Sequence, residues 1–388
     1  MNANGLKKID NILKEMTDTG YVSGVNCLIT HEGKEVYYGE SGVRDLESSD
    51  KFDRTTIVRL YSMSKPITAV AVYILIDEGK IDLLDPIEKY LPGFAEHYTQ
   101  DGWRKMPTKY SVTIKDLLNM TSGVSYPGDG NPAEARSNDL MNTIIANMDK
   151  ATALSTVDIA NKMGTHPLAF EPGEKWQYGF SADILGALVE VVSNMSFGDF
   201  LKERIFNPLG MLDTDFYVPE DKQNRLAKVY DDSGKLKLFT YPNLGISNDM
   251  KNKPKFESGG AGLVSTVDDY TKFCLMLLNN GELNGVRILS KKAVEKLTSG
   301  GITPKQRQAM DWESLQGYTY GNLLRVLTNL EQFNGLGEIG EYGWDGWLGA
   351  YMSNDPVNNI SIVLLIQRTN AGTTDYTRKI RNVLYSNL

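Results

Sequence analysis

Ser62 and Lys65, in the stretch RLYSMSKPITAVAVYILIDEG, carry the first chemical signal in the chain. Three residues apart at a helix start, the hydroxyl and the amine project from the same side. A serine is a poor nucleophile until a base takes its proton. A lysine serves as that base only when its pKa falls, and burial among apolar residues beside the positive end of a helix lowers it. The same helix end turns backbone N–H groups toward an oxyanion. One short segment thus supplies nucleophile, base and part of an oxyanion hole. Without that chemistry, Ser62 reads as a helix N-cap. Ser48 and Lys51 repeat the spacing in DLESSDKFD, but no apolar run follows them, so that pair reads as a solvated loop.

The elements that must position this pair follow from periodicity. The N-terminal MNANGLKKIDNILKEM reads as an amphipathic helix with Ile9, Ile12 and Leu13 on one side. Two strand-like runs flank "EGK" in VNCLITHEGKEVYYGESG, the pattern of a hairpin. Residues 66–79 then form a helix that is apolar over most of its surface and therefore buried, and Gly79 stops it. From residue 85 to 214, helical periods alternate with long polar loops such as TSGVSYPGDGNPAEARSND. Strand-like runs return beyond Asp215 (AKVYD, KLKLFT, YTYGNLLRVL, GAYMSND, ISIVLLIQ), with a helix at DDYTKFCLMLLNNG and another closing the chain. This order predicts an α/β domain built from residues 1–84 and 215–388, with an all-helical domain, 85–214, inserted between its parts.

Several of these blocks together resemble the serine β-lactamase and penicillin-binding-protein-like hydrolases. They are most similar to the branch that holds class C β-lactamases, esterases and D-aminopeptidases. The resemblance begins in TTIVRLYSMSKPITAVAVYILIDEGKIDLLDPIEKYLPGF and continues in TIKDLLNMTSGV, EPGEKWQYGFSADILGALVEVVS and NPLGMLDTDF. It extends through GGAGLVSTVDDYTKFCLMLLNNG and GWDGWLGAYMSNDP, so it covers nearly the whole chain in the family's order. It implies an antiparallel sheet flanked by helices, with the helical insertion already read, and a metal-independent enzyme that forms an acyl-enzyme through Ser62.

The family places a tyrosine beside the lysine as general acid or base. Tyr241 and Tyr320 match its Y-x-N letters, in YPN and YGN. Only Tyr178 has the surroundings, with Pro172-Gly173 and Trp176 before it and the helix ADILGALVE after it. A phenol near an ammonium is expected to lose its proton more easily. Phe180 stands where the lactamases carry an asparagine. Their third motif, K-T-G, is replaced by Trp344-Asp345-Gly346, as in esterase-type members. The lysine that would attract a substrate carboxylate is therefore missing, and Asp345 has the wrong sign if it faces the cleft. Neutral small-molecule esters or amides, with an apolar acyl or alcohol part against Trp344 and Trp347, are the expected substrates. Gly346 permits close backbone approach, and the second oxyanion N–H falls near Trp347. A β-lactamase or D-aminopeptidase is the alternative enzyme. A slowly deacylating penicillin-sensor-like module is the alternative of another class.

Composition excludes other classes. The chain has 388 residues and a net charge of −8, with its acidic residues dispersed, and it lacks the basic stripe of a nucleic-acid partner. No apolar run reaches membrane-spanning length, and no h-region opens the chain. Cys27 and Cys274 lie far apart in apolar surroundings, which reads as two buried thiols in a reducing, cytoplasmic setting. His31, His97 and His166 show no metal-ligand spacing. Gly335-Leu336-Gly337-Glu338-Ile339-Gly340 spells a dinucleotide fingerprint, but EYGWDGWLG follows rather than a helix. No cofactor is expected, and the loops 123–140 and 327–342 are expected to shape the cleft.

Overall fold

The computed structural model describes residues 2–388. The seven strands of its one large sheet are β1 (Gly24–His31), β2 (Lys34–Gly42), β3 (Tyr318–Gly321), β4 (Leu324–Leu327), β5 (Tyr342–Asp345), β6 (Tyr351–Asp355) and β7 (Ile360–Ile366). They lie in the order β3-β4-β5-β6-β7-β1-β2, and every neighbouring pair is antiparallel. The β1–β2 hairpin turns through Glu32 and Gly33, both at positive φ (51° and 72°). That is the two-residue geometry whose twist matches its strands.

The sheet is covered on both faces, so β7 is buried at all seven positions. Its Ile360, Ile362, Leu364 and Ile366 face one way, with Val25, Cys27 and Ile29 of β1. Against them pack Ile9, Leu13 and Met16 of helix α1 (Lys8–Asp18) and Ile380 and Leu384 of the C-terminal helix (Asp375–Tyr385). Val363, Leu365 and Leu28 point the other way and join the larger core, which includes Phe273 and Cys274 of the helix Val267–Leu278. Side-chain alternation along the strands thus divides the apolar residues between two cores.

Helix α2 (Ser64–Asp77) lies in that larger core and is buried from Ser64 to Leu75. An apolar sequence on all sides leaves no face for water. Gly79, in the left-handed region at φ 66°, donates its N–H to the Ile76 carbonyl (2.9 Å) and ends the helix as expected. α2 packs on α3 (Ser181–Ser193), one of several helices in the middle of the chain. That middle region also holds a hairpin, Tyr98–Asp101 with Arg104–Pro107, in a stretch expected to be helical or loop throughout. Its strands are partly or fully exposed at every position and lack alternation, so no period-2 signal marks them.

No single helix among the described residues is long and apolar enough to cross a membrane. The helical segments Ser181–Ser193 and Phe197–Leu209 reach the length only together, and they meet at 79°.

Candidate active site

The segment before α2 is a single 3₁₀ turn, Tyr61–Met63, and its tight geometry sets the exposure of Ser62. Tyr61 adopts φ 46°, a left-handed conformation that costs a non-glycine residue on the order of 1–2 kcal/mol. The turn is held from several directions. The Leu60 N–H donates to the Leu263 carbonyl (2.9 Å), and the Leu263 N–H donates to Ser64 Oγ (3.1 Å). The Tyr270 hydroxyl donates to the Met63 carbonyl (2.8 Å). The Tyr61 ring is buried against the edge of Trp347, with centroids 5.0 Å apart. Strain at Tyr61 therefore persists because the surroundings over-determine it, and Ser62 is left half-buried.

Lys65 is fully buried, with 0% of its surface exposed. Its Nζ lies 3.1 Å from Ser62 Oγ, 2.9 Å from the Tyr126 hydroxyl and 2.8 Å from the Gly260 carbonyl. The carbonyl can only accept, whereas both hydroxyls can donate or accept. A neutral amine that donates to Gly260 and Tyr126 keeps its lone pair for the Ser62 proton. Burial lowers the Lys65 pKa to about 7, and the attraction of Asp183 and Asp345 only partly opposes it. At neutral pH much of this lysine is an unprotonated base.

Tyr178 sits half-buried beside the pair, its ring 4.6 Å from Lys65 Nζ. Its hydroxyl accepts from Trp344 Nε1 (3.0 Å). Burial pushes the phenol above its ordinary value, although contacts with Ser62 and Trp344 pull the other way. The expectation that a neighbouring ammonium would ionise Tyr178 is corrected here. Burial lowers the Lys65 pKa as well, and the amine meets the Tyr178 ring face rather than the oxygen. The amine is the group poised to accept a proton, and the phenol is poised to give one.

The third motif follows β5. Gly346 passes so close to the nucleophile turn that a Cβ there would meet the Leu60 carbonyl oxygen at 2.2 Å. The same point is 3.6 Å from the Ser62 nitrogen, which brings the two backbones together. The Gly346 N–H is used by the Ala350 carbonyl (2.7 Å), whereas no acceptor among the described residues takes the Trp347 N–H. Nor is the Ser62 N–H taken by a backbone acceptor among the described residues.

Two expectations for this motif need correction. Trp344 is 2% exposed and holds Tyr178 through its indole, so it braces the site and offers little surface to a substrate. Trp347 is half-buried, with Nε1 donating to Asn370 Oδ1 (2.7 Å) and its ring on Tyr61. Asp345 does not stand as an uncompensated negative charge. It pairs with the buried guanidinium of Arg325 (2.9 Å) and accepts from the Thr373 hydroxyl.

Tyr126 and Asp183 were missed. Tyr126 lies in the polar loop GVSYPGDG, which has no period to mark it, yet its hydroxyl reaches Lys65 and its ring meets Tyr178 and Phe180. Asp183 is buried and accepts from Ser258 Oγ (2.5 Å) and the Gly260 N–H (3.2 Å). It thereby fixes the carbonyl that holds Lys65. Its place five residues beyond Tyr178, as a buried acid in the first turn of a mostly apolar helix, is the signal that was available. Of the rejected tyrosines, Tyr241 is 71% exposed, and Tyr320 is buried behind Trp344 with ring centroids 5.0 Å apart. Ser48 and Lys51 are exposed.

Of the stretch 123–140, expected to be a loop that shapes the cleft, residues 132–140 belong instead to the helix Pro132–Asn147, capped by the Asn131 side chain, while Tyr126 in the loop part reaches Lys65. Loop 327–342 enters β5 from the end opposite Gly346 and rests on the C-terminal helix. There the Leu336 N–H donates to Asn382 Oδ1 (3.0 Å), and the Leu336 carbonyl accepts from Arg381 (3.0 Å). The glycine-rich stretch 335–340 is part of that loop and is not at the cleft edge.

A family model described as Beta-lactamase matches residues 9–385. Protein Rv1367c of Mycobacterium tuberculosis is 30% identical over 372 residues, covering 92% of this chain and 88% of that protein. Lovastatin esterase of Penicillium rubens is 28% identical, covering 92% of each. The solved structure of EstCE1, described as a hydrolase with promiscuous acyltransferase activity, superposes with a TM-score of 0.83. It is 24% identical and covers 99% of both chains, a likeness of fold.

Proposed function

The chain belongs to the β-lactamase family, and from that premise we propose that it is a serine carboxylesterase acting on neutral esters through an acyl-enzyme on Ser62. The observation that carries this reading is the fully buried Lys65 amine, 3.1 Å from Ser62 Oγ and with its pKa lowered to about 7. Lys65 takes the Ser62 proton as Oγ attacks the ester carbonyl. The amides of Ser62 and Trp347 receive the oxyanion, each worth on the order of 3 kcal/mol of barrier. Tyr178 protonates the departing alcohol, with Trp344 Nε1 directing its hydroxyl. The strongly basic phenolate recovers a proton from the Lys65 ammonium, which returns the amine to its neutral form. The amine then takes a proton from the water that adds to the acyl carbonyl and passes it to Ser62 Oγ as the acid departs.

Preference for esters over β-lactams or peptides rests on the third motif. Substrates with a free carboxylate need a cation at that place. The chain has Trp344 there, turned inward on Tyr178, and Asp345 beside it is occupied by Arg325. The similarity to lovastatin esterase supports the same choice. Two buried free thiols, Cys27 and Cys274, accord with a reducing compartment such as the cytoplasm.

The test compares p-nitrophenyl acetate with nitrocefin and follows Ser62 by intact-protein mass spectrometry. The expected result is turnover of the ester at least a hundredfold faster than of the β-lactam, with a transient acetyl adduct on Ser62. Faster nitrocefin hydrolysis favours a β-lactamase, and a persistent adduct without turnover favours a sensor. Because Lys65 must be unprotonated to act, kcat/KM should rise about tenfold per pH unit below the lysine pKa of about 7 and level off above it. A profile that is flat from pH 5.5 to 8 would remove Lys65 from the role of base.

A further inference from the structure

Four aromatic rings pack on Tyr178, those of Tyr126, Trp176, Trp344 and Trp312, and the last comes from a segment outside the three motifs of the site. The Trp312 ring stands 5.2 Å from that of Tyr178 at 71° and 5.4 Å from that of Trp176 at 83°, both edge-to-face. Its segment is pinned in place. Met310 and Leu315 are buried on either side of it. Gln306 Nε2 donates to the Gly173 carbonyl (2.7 Å) and the Trp176 N–H donates to the Gln306 carbonyl (3.4 Å), which ties the segment to the loop that leads into Tyr178. Trp312 itself is nonetheless 41% exposed.

That exposure sets it apart from the other rings. Trp176 and Trp344 are 3% and 2% exposed, and Tyr126 is half-buried with its hydroxyl on Lys65. As Tyr178 protonates the departing alcohol, the alcohol oxygen lies at the phenol hydroxyl, so its carbon substituent extends over the rim of this aromatic cluster. Trp176 and Trp344 have no surface left to give it, and Trp312 does. A planar aromatic substituent fits best, because ring pairs favour offset or edge-to-face packing at roughly 4.5–7 Å between centroids, worth up to roughly tenfold beyond the area they bury. Asp311 and Glu313 flank Trp312 and are exposed, so an anionic substituent is repelled there.

We infer that Trp312 is the specificity-determining residue for the alcohol part of the substrate, and that the preferred esters are those of uncharged aromatic alcohols. This rests on the esterase reading above. Benzyl and ethyl acetate share an acyl group and release alcohols of similar basicity, so comparing them isolates the ring. kcat/KM for benzyl acetate should exceed that for ethyl acetate by at least tenfold. Trp312→Ala should cut this ratio at least fivefold, mainly through KM for the benzyl ester, and Trp312→Phe, which keeps a ring, should restore most of it. A purely structural role would instead lower kcat for both esters and leave their ratio as it was.

Binding to the Ser62→Ala chain, measured by calorimetry, tests the contact without turnover. Benzyl acetate should bind at least tenfold tighter than ethyl acetate there, and adding Trp312→Ala should bring the two within threefold. A ratio near one in the unmodified chain, or one that Trp312→Ala leaves unchanged, overturns the inference, while hydrolysis of both acetates still supports an esterase. So does an acyl series, ethyl phenylacetate against ethyl acetate, that responds to Trp312→Ala while the alcohol series does not. Absence of any ester turnover rejects the esterase reading instead, and the binding comparison still decides whether Trp312 holds the ring.

Discussion

Ser62→Ala should lower kcat/KM for p-nitrophenyl esters by about 10⁴-fold or more, because no second nucleophile stands at the oxyanion position. Where a serine and its base act as a unit, removing the nucleophile costs nearly everything the pair contributes. The fold should tolerate the change. Ser62 is half-buried, and the 3₁₀ turn that carries it is held by its neighbours, through Leu263, Tyr270 and the packing of Tyr61 on Trp347. Loss of the Oγ leaves Lys65 bonded to Gly260 and Tyr126. The measurement is steady-state hydrolysis with a parallel thermal melt. Activity within tenfold of the parent, with an unchanged melt, would show that another residue carries the acyl group.

Lys65→Met should cost roughly 10³-fold in kcat/KM, within the range for removing a general base, and should also alter how stability depends on pH. Methionine keeps much of the length and apolar volume of the lysine stem. In the folded chain the Lys65 pKa is lowered from 10.5 to about 7, with burial the largest cause. Between pH 7 and 10.5 the unfolded chain holds a proton that the folded chain lacks. Stability of the parent therefore rises with pH across that window, by up to about 1.4 kcal/mol per unit. Below pH 7 both states are protonated, the contribution to the slope vanishes, and the burial penalty is fully present. Urea unfolding of parent and variant at intervals from pH 6 to 10 reads the difference directly. Parallel curves would mean that Lys65 titrates normally and has no special capacity as a base.

The second prediction depends on a feature that local sequence only hinted at. The spacing of Ser62 and Lys65 before an apolar run implied burial, and the structure places the amine at zero exposure. Which groups would share that burial was not legible. Gly260 and Tyr126 lie 195 and 61 residues from Lys65, and neither belongs to a periodic element that points at it. The same separation hid the roles of Trp344 and Asp345. The motif's letters suggest a Trp344 surface for substrate and leave open whether Asp345 faces the cleft. The partners that turn them inward, Tyr178 and Arg325, are 166 and 20 residues away.

Periodicity and turn chemistry, which are local, determined much of this protein within the sequence. They set the β1–β2 hairpin, the buried helix after Lys65 with its glycine stop, the amphipathic helix near the N-terminus, the helix that closes the chain and the mostly apolar β7. The ordered motifs then implied the family's sheet and the chemistry of Ser62. Only the tertiary structure decided which groups surround the Lys65 amine and where the third motif's side chains point. A pKa depends on the dielectric and charges within a few ångströms, and a side chain's direction depends on the partners that the fold brings to it. Both are properties of distance in space, and a one-dimensional pattern records distance along the chain.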